Sequence, residues 1–475
     1  MVNVSVKWRK ETYDVEVDST QTPLVFKSQL FALTSVLPER QKVLVKGKTV
    51  GDDSWDGIPL ADGLQFMLMG STAPIPQAPV AAVVEASKKE DAPKQLFPLG
   101  LVNIGNTCYF NSVVQSLQTI KELRALASKV SFNDRPLVNS IGRVLRDVNE
   151  LTFPGQKSLN PAESVLFLKK AFPQFATTFQ GGPEQQDANE FYTVLLQEIL
   201  TATDQIQPEA GNPKLRSLFQ GTLKTTLKCD ESPEEPVKQE TENVFQVPCF
   251  LKQGVSNVHT GIIEGLKETL EKTSEKLGRN ANWTKESRFD RLPKYLTIQM
   301  VRFFYKENAQ TSAKILKEVK FPPMLDMYQM CTPEMQKQFK PMRDAIKDEE
   351  DAKLERERRK KLMSHEEQQN FKDDGVLLPT DFDNNPGCNN SGFYQLKAVV
   401  THKGRTVKSG HYVAWIRNDD NQWVLCDDDN VTVVEEMDVL KTAGGGDWHT
   451  AYILLYEARQ IKKYPQLAPE PAQVE

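Results

Sequence analysis

The stretch Gly100-Leu-Val-Asn-Ile-Gly-Asn-Thr-Cys-Tyr-Phe-Asn111 is the most informative part of this chain, because it places a cysteine between a glycine-containing turn and an amphipathic run. After Asn111 the apolar residues recur at helical spacing, at Val113, Val114, Leu117 and Ile120. We therefore expect Cys108 at a helix N-terminus, where unpaired N–H groups and the positive end of the helix dipole favour a thiolate. Asn103 lies five residues before Cys108 and offers an amide donor that can reach an oxyanion beside the sulfur.

A cysteine nucleophile needs a base, and His411 is the best placed of the five histidines. It begins the alternating segment His411-Tyr-Val-Ala-Trp-Ile416, which a polar turn separates from a second strand, Trp423–Cys426. For a hairpin centred near residues 419 and 420, facing residues have numbers that sum to about 838–840, so His411 falls opposite Asp427 or within a residue or two of it. This carboxylate would fix the imidazole tautomer and complete a Cys-His-Asp arrangement, and Asp428 is the second candidate for that role.

Three segments carry a resemblance to a known family. The cysteine segment, Gln185-Gln-Asp-Ala-Asn-Glu-Phe191, and Ser409-Gly-His-Tyr-Val413 with Asp427-Asp-Asp429 are similar, in this order, to the signature segments of the ubiquitin-specific proteases. The chain most resembles the proteasome-associated member of that family, which also begins with a ubiquitin-like domain and has segments similar to Leu296–Tyr305, Pro322–Tyr328 and Gly444–Trp448. The resemblance covers nearly the whole chain and weakens in the linker and around 334–385.

The N-terminal part has a strand and helix order of its own. The pattern of residues 1–70 predicts two strands, a helix from Pro23 to about Val36, and further strands at Val43–Val45 and Leu64–Leu68. This order suits a β-grasp fold and resembles ubiquitin itself. Residues 71–96 are rich in Ala and Pro, so we expect a flexible linker.

The resemblance implies that residues 97–458 form a papain-like catalytic domain, so the whole chain is expected to be an α+β protein. It implies a mostly helical thumb at about 97–215, a fingers sheet at about 216–298, and an active site between the thumb and a palm sheet. For the charged insertion at about 334–378 we favour a solvated helix or a disordered loop over a partner-binding helix. Residues 459–475 are expected to be a polar C-terminal tail.

By the same resemblance, Cys108 would attack the carbonyl of ubiquitin's terminal glycine with His411 as the base and without a cofactor. This predicts a thiol-dependent deubiquitinase that acts on ubiquitin and polyubiquitinated proteins. Asp187 and Glu190, spaced i, i+3, would share a helical face toward an arginine in the ubiquitin tail, although helix capping or surface charge is the alternative for them. The expected ubiquitin-binding residues are Gln186, Asp187, Glu190 and Tyr412.

The N-terminal domain lacks a free diglycine terminus, because its last strand continues into Met69-Gly-Ser-Thr-Ala-Pro74. We therefore expect it to dock rather than to be conjugated. Leu44 and Met67 match positions of ubiquitin's exposed apolar patch, and by resemblance they would bind the regulatory particle of the 26S proteasome. The alternative is that they are ordinary sheet residues.

Composition limits the function classes. With 475 residues, of which 39% are hydrophobic, the chain can hold more than one domain, and a net charge of −5 gives no general attraction to nucleic acid or to an anionic membrane. Six scattered cysteines make no disulfide framework, and the N-terminus lacks the apolar core of a signal peptide. We expect a monomer in the cytoplasm and nucleus. We expect no structural zinc, because Cys229 and Cys249 are lone cysteines rather than Cys-x-x-Cys pairs.

Two other functions compete with the deubiquitinase. A catalytically silent adaptor would use the same domains to bind ubiquitin and the proteasome, but it has no need of the set Asn103, Cys108, His411 and Asp427. A different Cys-His-Asp enzyme, such as a transglutaminase, is disfavoured by the ubiquitin-like N-terminal part.

Overall fold

The computed structural model divides the chain into two compact units, residues 1–92 and 93–475. Within them the structure describes residues 2–8, 11–17, 22–34, 36, 41–45, 48–51, 54–55, 58, 60–69, 98–132, 134–149, 156–179, 182–206, 212–306, 311–363, 368, 371, 373–406, 409–446 and 448–465. The expected linker at 71–96 lies outside the described residues, as does the part of the expected tail beyond residue 465.

The N-terminal unit is a β-grasp domain, as the sequence predicts. Its elements are β1 (Val2–Trp8), β2 (Glu11–Val17), α1 (Pro23–Thr34), β3 (Lys42–Val45), β4 (Lys48–Thr49) and β5 (Leu64–Met69), and its sheet has the order β2-β1-β5-β3-β4. Alternate residues of β1 are buried and pack with Phe26 and Leu30 of α1, which is why the period-two pattern specifies this sheet. Leu44 faces Met67 across β3 and β5, and 53% of Met67 is exposed, so the two expected docking residues share one sheet face.

The second unit begins with a mostly helical thumb. Its elements are β6 (Gly100–Leu101), α2 (Cys108–Leu117), α3 (Lys121–Lys129), α4 (Pro136–Asp147), β7 (Ser158–Leu159), α5 (Ala162–Ala171), β8 (Thr178–Phe179), β9 (Gly182–Pro183), α6 (Ala188–Thr203) and α7 (Leu215–Phe219). A 3-10 turn at Pro173–Ala176 follows α5.

The remaining elements build the fingers and the palm. They are β10 (Gly221–Cys229), β11 (Lys238–Val244), β12 (Val247–Phe250), α8 (Val258–Gly265), β13 (Lys267–Ser274), β14 (Arg279–Arg291), β15 (Tyr295–Val301), β16 (Phe303–Lys306), β17 (Thr311–Lys314), β18 (Met324–Asp326), α9 (Pro333–Gln338), α10 (Lys340–Leu362), β19 (Val376–Leu377), β20 (Phe393–Thr406), β21 (Ser409–Arg417), β22 (Trp423–Asp427), β23 (Asn430–Val434), α11 (Glu436–Leu440), β24 (Thr450–Ala458) and β25 (Lys462–Lys463). Two 3-10 turns lie at Tyr328–Met330 and Lys441–Ala443.

Helix α2 is the centre of the thumb, and every residue of it is buried. Such a helix must satisfy its polar side chains internally. Gln115 Nε2 donates to the Leu99 carbonyl at 2.8 Å, and Asn111 Nδ2 donates to the Leu101 carbonyl at 3.0 Å. These bonds fix α2, and with it Cys108, against the strand that precedes it.

The fingers are a sheet of order β11-β10-β14-β13, and the palm is a sheet of order β12-β15-β24-β20-β21-β22-β23. The expectation of a continuous fingers segment at 216–298 is therefore wrong in part, because β12 and β15 belong to the palm. The physical reason is that β15 is buried along nearly its whole length and pairs with β12 in parallel, as interior strands do.

The charged insertion contains the helix α10, which packs more closely than a solvated helix would. The Glu349 side chain is 1% exposed and accepts from Arg459 at 3.0 Å and from the Lys462 N–H at 3.0 Å. Arg356 contacts Asp374 at 2.9 Å and the Pro465 carbonyl at 3.0 Å. The insertion thus holds the segment that follows β24. In the part of the chain that the structure describes, every helix is too short or too polar to cross a membrane.

The two cysteines considered as zinc ligands lie in different cores. Cys229 packs with Ala281 and Trp283 in the fingers, and Cys249 is buried among palm residues, with its thiol 3.9 Å from the Val258 carbonyl.

We expect the purified protein to contain no stoichiometric zinc, because a structural site needs convergent thiolate or imidazole ligands. Elemental analysis and melting curves with and without a chelator test this. One tightly held zinc per chain, or a chelator-induced fall in the melting temperature, would contradict it.

Candidate active site

Cys108 is the first residue of α2 and is 2% exposed. The preceding turn bends through two left-handed residues, Gly105 (φ 111°) and Asn106 (φ 51°), which are residue types that tolerate this conformation. No side chain caps the helix, because the Thr107 hydroxyl accepts from the Ile104 N–H at 3.0 Å instead. The helix N-terminus is therefore left to act on charge that develops at the sulfur or next to it.

Asn103 is exposed and held in one orientation. Its side-chain oxygen accepts from the N–H groups of Gly105 at 3.0 Å and Thr107 at 3.2 Å, while its Nδ2 donates to Asp428 Oδ2 at 2.9 Å. Among the described residues this is the one hydrogen bond that the Asn103 amide donates, so a second amide hydrogen is left for an oxyanion near Cys108.

Asp428 does not occupy the orienting position beside His411. Its Oδ2 lies 4.0 Å from His411 Nε2, whereas Oδ1 accepts from Asn111 at 2.8 Å and Oδ2 accepts from Asn103. The residue adopts φ 51°, which turns its carboxylate toward the thumb. Asp428 thus joins the turn after β22 to α2 and to the Asn103 side chain.

His411 and Asp427 form the close pair expected from the hairpin. In β21 and β22, Ala414 faces Cys426 and Ile416 faces Val424, so facing numbers sum to 840, and His411 Nε2 lies 2.6 Å from Asp427 Oδ1. The hydrogen bond to Asp427, and then the one with Cys108, raise the pKa of His411 to about 10 against the opposing effect of burial. The pairing also lowers the pKa of Asp427. The sulfur therefore faces a ring that is charged at neutral pH.

Two further histidines pack near His411 and stay neutral. Burial is the main cause that lowers the pKa of His402 to about 3 and that of His449 to about 4. The His449 ring centre lies 6.2 Å from that of His411, and His449 Nδ1 contacts Thr401 Oγ1 at 3.3 Å. Neither is placed to take a proton from Cys108, so His411 is the base that the geometry supports.

Gln185 is a site residue that the sequence reasoning missed. It is 5% exposed, and its Nε2 lies 4.0 Å from Cys108 Sγ. Its neighbour Gln186, which was expected to contact ubiquitin, donates to Thr177 Oγ1 at 2.7 Å and to the Glu184 carbonyl at 3.0 Å. The sequence offered two adjacent glutamines and no signal to tell which of them faces the sulfur.

Of the other residues expected to contact ubiquitin, Glu190 is exposed, whereas Asp187 and Tyr412 make contacts within the protein. Asp187 precedes α6 as its N-cap: its Oδ1 accepts from the N–H groups of Asn189 and Glu190, and its Oδ2 accepts from Tyr452 at 2.7 Å. Asp187 therefore does not share a helical face with Glu190, which is exposed in the first turn. Tyr412 is 1% exposed, so its ring packs in the core rather than presenting a surface to a partner.

The remaining cysteines are buried and free. Burial raises the pKa of the Cys249 thiol to about 12 and also raises the thiol pKa values of Cys331, Cys388 and Cys426. These thiols stay protonated and unreactive at neutral pH.

His411, Asp427 and Asp428 form a group whose ligand-type atoms all lie within 4.8 Å of one another. A metal ion is a poor fit there, because both Asp428 oxygens accept amide N–H groups and His411 Nε2 is committed to Asp427. The geometry suits proton transfer instead: a sulfur nucleophile, a histidine that takes up the thiol proton, an orienting carboxylate and an amide donor converge at one helix start.

Comparisons with known proteins find similar families, sequences and folds. Residues 99–456 match the ubiquitin carboxyl-terminal hydrolase family, and residues 2–72 match the ubiquitin family. The chain is 45% identical to ubiquitin carboxyl-terminal hydrolase 14 of Caenorhabditis elegans, over 99% of this chain and 96% of that one. It is 39% identical to ubiquitin carboxyl-terminal hydrolase 6 of Arabidopsis thaliana, over 97% and 100%. A chain of the SAGA DUB module bound to ubiquitin aldehyde has a similar fold, with a TM-score of 0.53 at 18% identity over 76% of this chain and 70% of that one.

We expect Asp427→Asn to lower the pKa of His411 from about 10, because the substitution removes the charge of its hydrogen-bond partner. The imidazolium would then lose its proton at a lower pH, and the alkaline limb of activity would move down with it. An NMR titration of the His411 ring measures the shift. Asp429→Asn is the matched control in the same turn. An unchanged His411 titration in Asp427→Asn would show that Asp427 does not stabilise the charged ring.

Proposed function

The chain belongs to the ubiquitin carboxyl-terminal hydrolase family and is a cysteine-type deubiquitinase, and from that premise we propose that it recycles ubiquitin from proteasome-bound conjugates. It would cut the isopeptide bond at the C-terminal glycine of ubiquitin. The observation that carries the proposal is the placement of Cys108 at the start of α2 beside the His411–Asp427 pair.

The chemistry follows from the positions of these groups. The Cys108 thiolate attacks the glycine carbonyl carbon while His411 holds the proton that the thiol gave up. The oxyanion that forms lies near the helix N-terminus and accepts a hydrogen bond from the Asn103 amide. Collapse breaks the bond to the substrate lysine, and His411 protonates the departing amine. Water, deprotonated by His411, then hydrolyses the thioester and releases the ubiquitin carboxylate.

Supporting residues would orient these groups without reacting. Asp427 holds the His411 ring, and Asp428 holds the Asn103 amide, which gives the two neighbouring aspartates separate tasks. The Gln185 amide, 4.0 Å from the sulfur, adds a donor beside the thiolate. Exposed Glu190 remains a candidate contact for the basic tail of ubiquitin, whereas Gln186, Asp187 and Tyr412 would act through the packing of the site.

A catalytically silent adaptor is not favoured, because an adaptor would need no charged histidine beside a cysteine at a helix start. The N-terminal domain would provide the link to the proteasome regulatory particle, with Leu44 and Met67 as the docking surface. Six free cysteines suit a reducing compartment, so we also propose a cytoplasmic and nuclear location for a monomeric enzyme.

Cys108→Ala should abolish hydrolysis and labelling by ubiquitin that bears a C-terminal electrophile, while ubiquitin binding is preserved. Asn103→Ala should lower kcat by about 10²–10³, the usual cost of losing one oxyanion donor. A fluorogenic ubiquitin substrate and mass spectrometry of the adduct measure both effects.

Two matched controls accompany these variants. Cys249→Ala removes a buried thiol of raised pKa and should label normally, and Asn106→Gly changes the neighbouring asparagine at a backbone conformation that glycine tolerates. Labelling of Cys108→Ala at another cysteine would overturn the assignment, and an unchanged rate in Asn103→Ala would leave the backbone N–H groups as the oxyanion site.

Deleting residues 1–70 should leave the basal hydrolysis rate nearly intact and weaken capture by purified proteasome, because a tethered docking domain raises local concentration rather than performing chemistry. A charge at Met67, which is 53% exposed, should have the same effect. Pull-down and turnover assays, with Gln65→Glu as a surface control in the same strand, test this. Loss of basal activity in the truncated chain, or undiminished proteasome binding, would refute the tether.

A further inference from the structure

Arg302 is 0% exposed, and it bonds to main-chain carbonyls rather than to an acid. Its Nε donates to Ala451 at 2.6 Å, its Nη2 to Ala443 at 2.8 Å, and its Nη1 to Ile315 at 3.0 Å and Lys317 at 2.9 Å. A planar guanidinium is the side chain that can serve four acceptors in fixed directions.

Burying the charge of Arg302 without an acidic partner costs free energy that its hydrogen bonds must offset. No Asp or Glu forms an ion pair with Arg302 in the described part of the chain, and burial lowers its pKa to about 10, which still leaves it charged at neutral pH. A buried charge without a counter-ion is tolerated when hydrogen bonds surround it. Removing Arg302 would leave four carbonyl oxygens without this donor.

The carbonyls come from two segments that pack without spare room. One segment, residues 315–317, follows β17, and the other comprises residues 443–446 and 448–451, of which the last two lie in β24. The Gly445 N–H donates to the Leu316 carbonyl at 2.8 Å, and a Cβ built on Gly444 would lie 2.6 Å from the Lys317 carbonyl oxygen. Gly444 also adopts φ 116°, so a side chain there is strained as well as crowded.

Both segments lead to the surroundings of His411. The second segment carries His449, whose ring centre lies 6.2 Å from that of His411, and Trp448, which stacks under Lys403 at 5.0 Å. Lys403 is the β20 partner of His411.

The first segment follows β17, which ends at Lys314, and Lys314 Nζ donates to the His402 carbonyl at 2.5 Å. Phe303, next to Arg302 in the chain, packs edge-on against His402 at 5.4 Å. The His402 ring in turn lies 4.5 Å from that of Tyr412, the neighbour of His411.

We infer that Arg302 is a positioning residue for His411: it fixes the backbone at residues 315–317 and at Ala443 and Ala451, and these in turn fix the side chains that pack around the base. Arg302 does not touch the reacting atoms. The inference rests on the proposed role of His411 as the base.

The titration of His411 reports on the charged and titratable groups around its ring. Cys108, Asp427 and Asp428 face its ring directly, and the neutral His402 and His449 lie behind it, with Lys314 and Lys403 further out. Displacing the backbone of residues 448–451 would move His449 and the Trp448 ring, which lies under Lys403, relative to His411. If the side chains around His411 are displaced, the pKa of His411 should change, and not only the stability of the protein.

Arg302→Met retains a long apolar side chain but removes all of the hydrogen-bond donors of Arg302. We expect this variant to lower kcat per active site about 100-fold, as misplacement of a catalytic group does, with a much smaller change in KM. Active sites are counted by titration with a ubiquitin electrophile. Arg302→Lys should lose less, because an ammonium can reach some but not all of the four carbonyls. Gly444→Ala, which disturbs the same junction and keeps the guanidinium, should reproduce the fall in kcat and the shift of the His411 titration.

Arg459→Met is the matched control, because Arg459 bonds to Glu349 and Glu350 of α10 and not to these segments. It should lower the melting temperature without altering kcat per active site. If Arg302→Met does not fold, Arg302→Lys and Gly444→Ala still decide the question. Unchanged kcat per active site and unchanged His411 titration in those two variants would overturn the positioning role. Failure of Cys108 to label would instead refute the proposed function, since the NMR titration does not depend on turnover.

Discussion

The backbone hydrogen bond from the Leu101 N–H to the Asp428 carbonyl, at 2.8 Å, joins the strand before α2 to the turn after β22. The site depends on this contact, because α2 carries Cys108 and the β21–β22 hairpin carries His411. The approach is so close that a Cβ built on Gly100 would lie 2.5 Å from the Asp429 carbonyl oxygen, so only glycine fits there. Asp428 then reaches across the same junction to Asn103 and Asn111.

This junction explains why neighbouring acids differ in behaviour. Asp427 ends β22 with its side chain toward His411, and Asp428, one residue later at φ 51°, turns toward the thumb. Asp427 stabilises the charged ring of His411. Asp428 orients the neutral amide of Asn103, which faces the oxyanion. These two roles require both the hairpin and the thumb, because Asp427 pairs with His411 of the hairpin and Asp428 pairs with Asn103 of the thumb.

Buried and half-buried polar groups, rather than apolar packing alone, set the geometry of the site. Asn111 and Gln115 bond α2 to the preceding strand, Asp187 caps α6 and accepts from Tyr452, and Arg302 ties two segments near His411. Each group has defined directions for its hydrogen bonds, so each fixes orientation as well as distance. Apolar side chains supply most of the burial, but they do not specify which face of a histidine meets which carboxylate.

The features that depend on neighbours along the chain could be predicted from its sequence: the helix start at Cys108, the hairpin that brings His411 within reach of Asp427, and the order of strands and helix in the N-terminal domain. Local periodicity and turn chemistry carry that information. Other features became visible in the folded protein alone: Asp428 accepts from Asn103, Gln185 rather than Gln186 faces the sulfur, Tyr412 is buried, and β12 and β15 join the palm. These contacts link residues as far as 325 positions apart, and their partners are selected by the packing of whole layers, which no local pattern encodes.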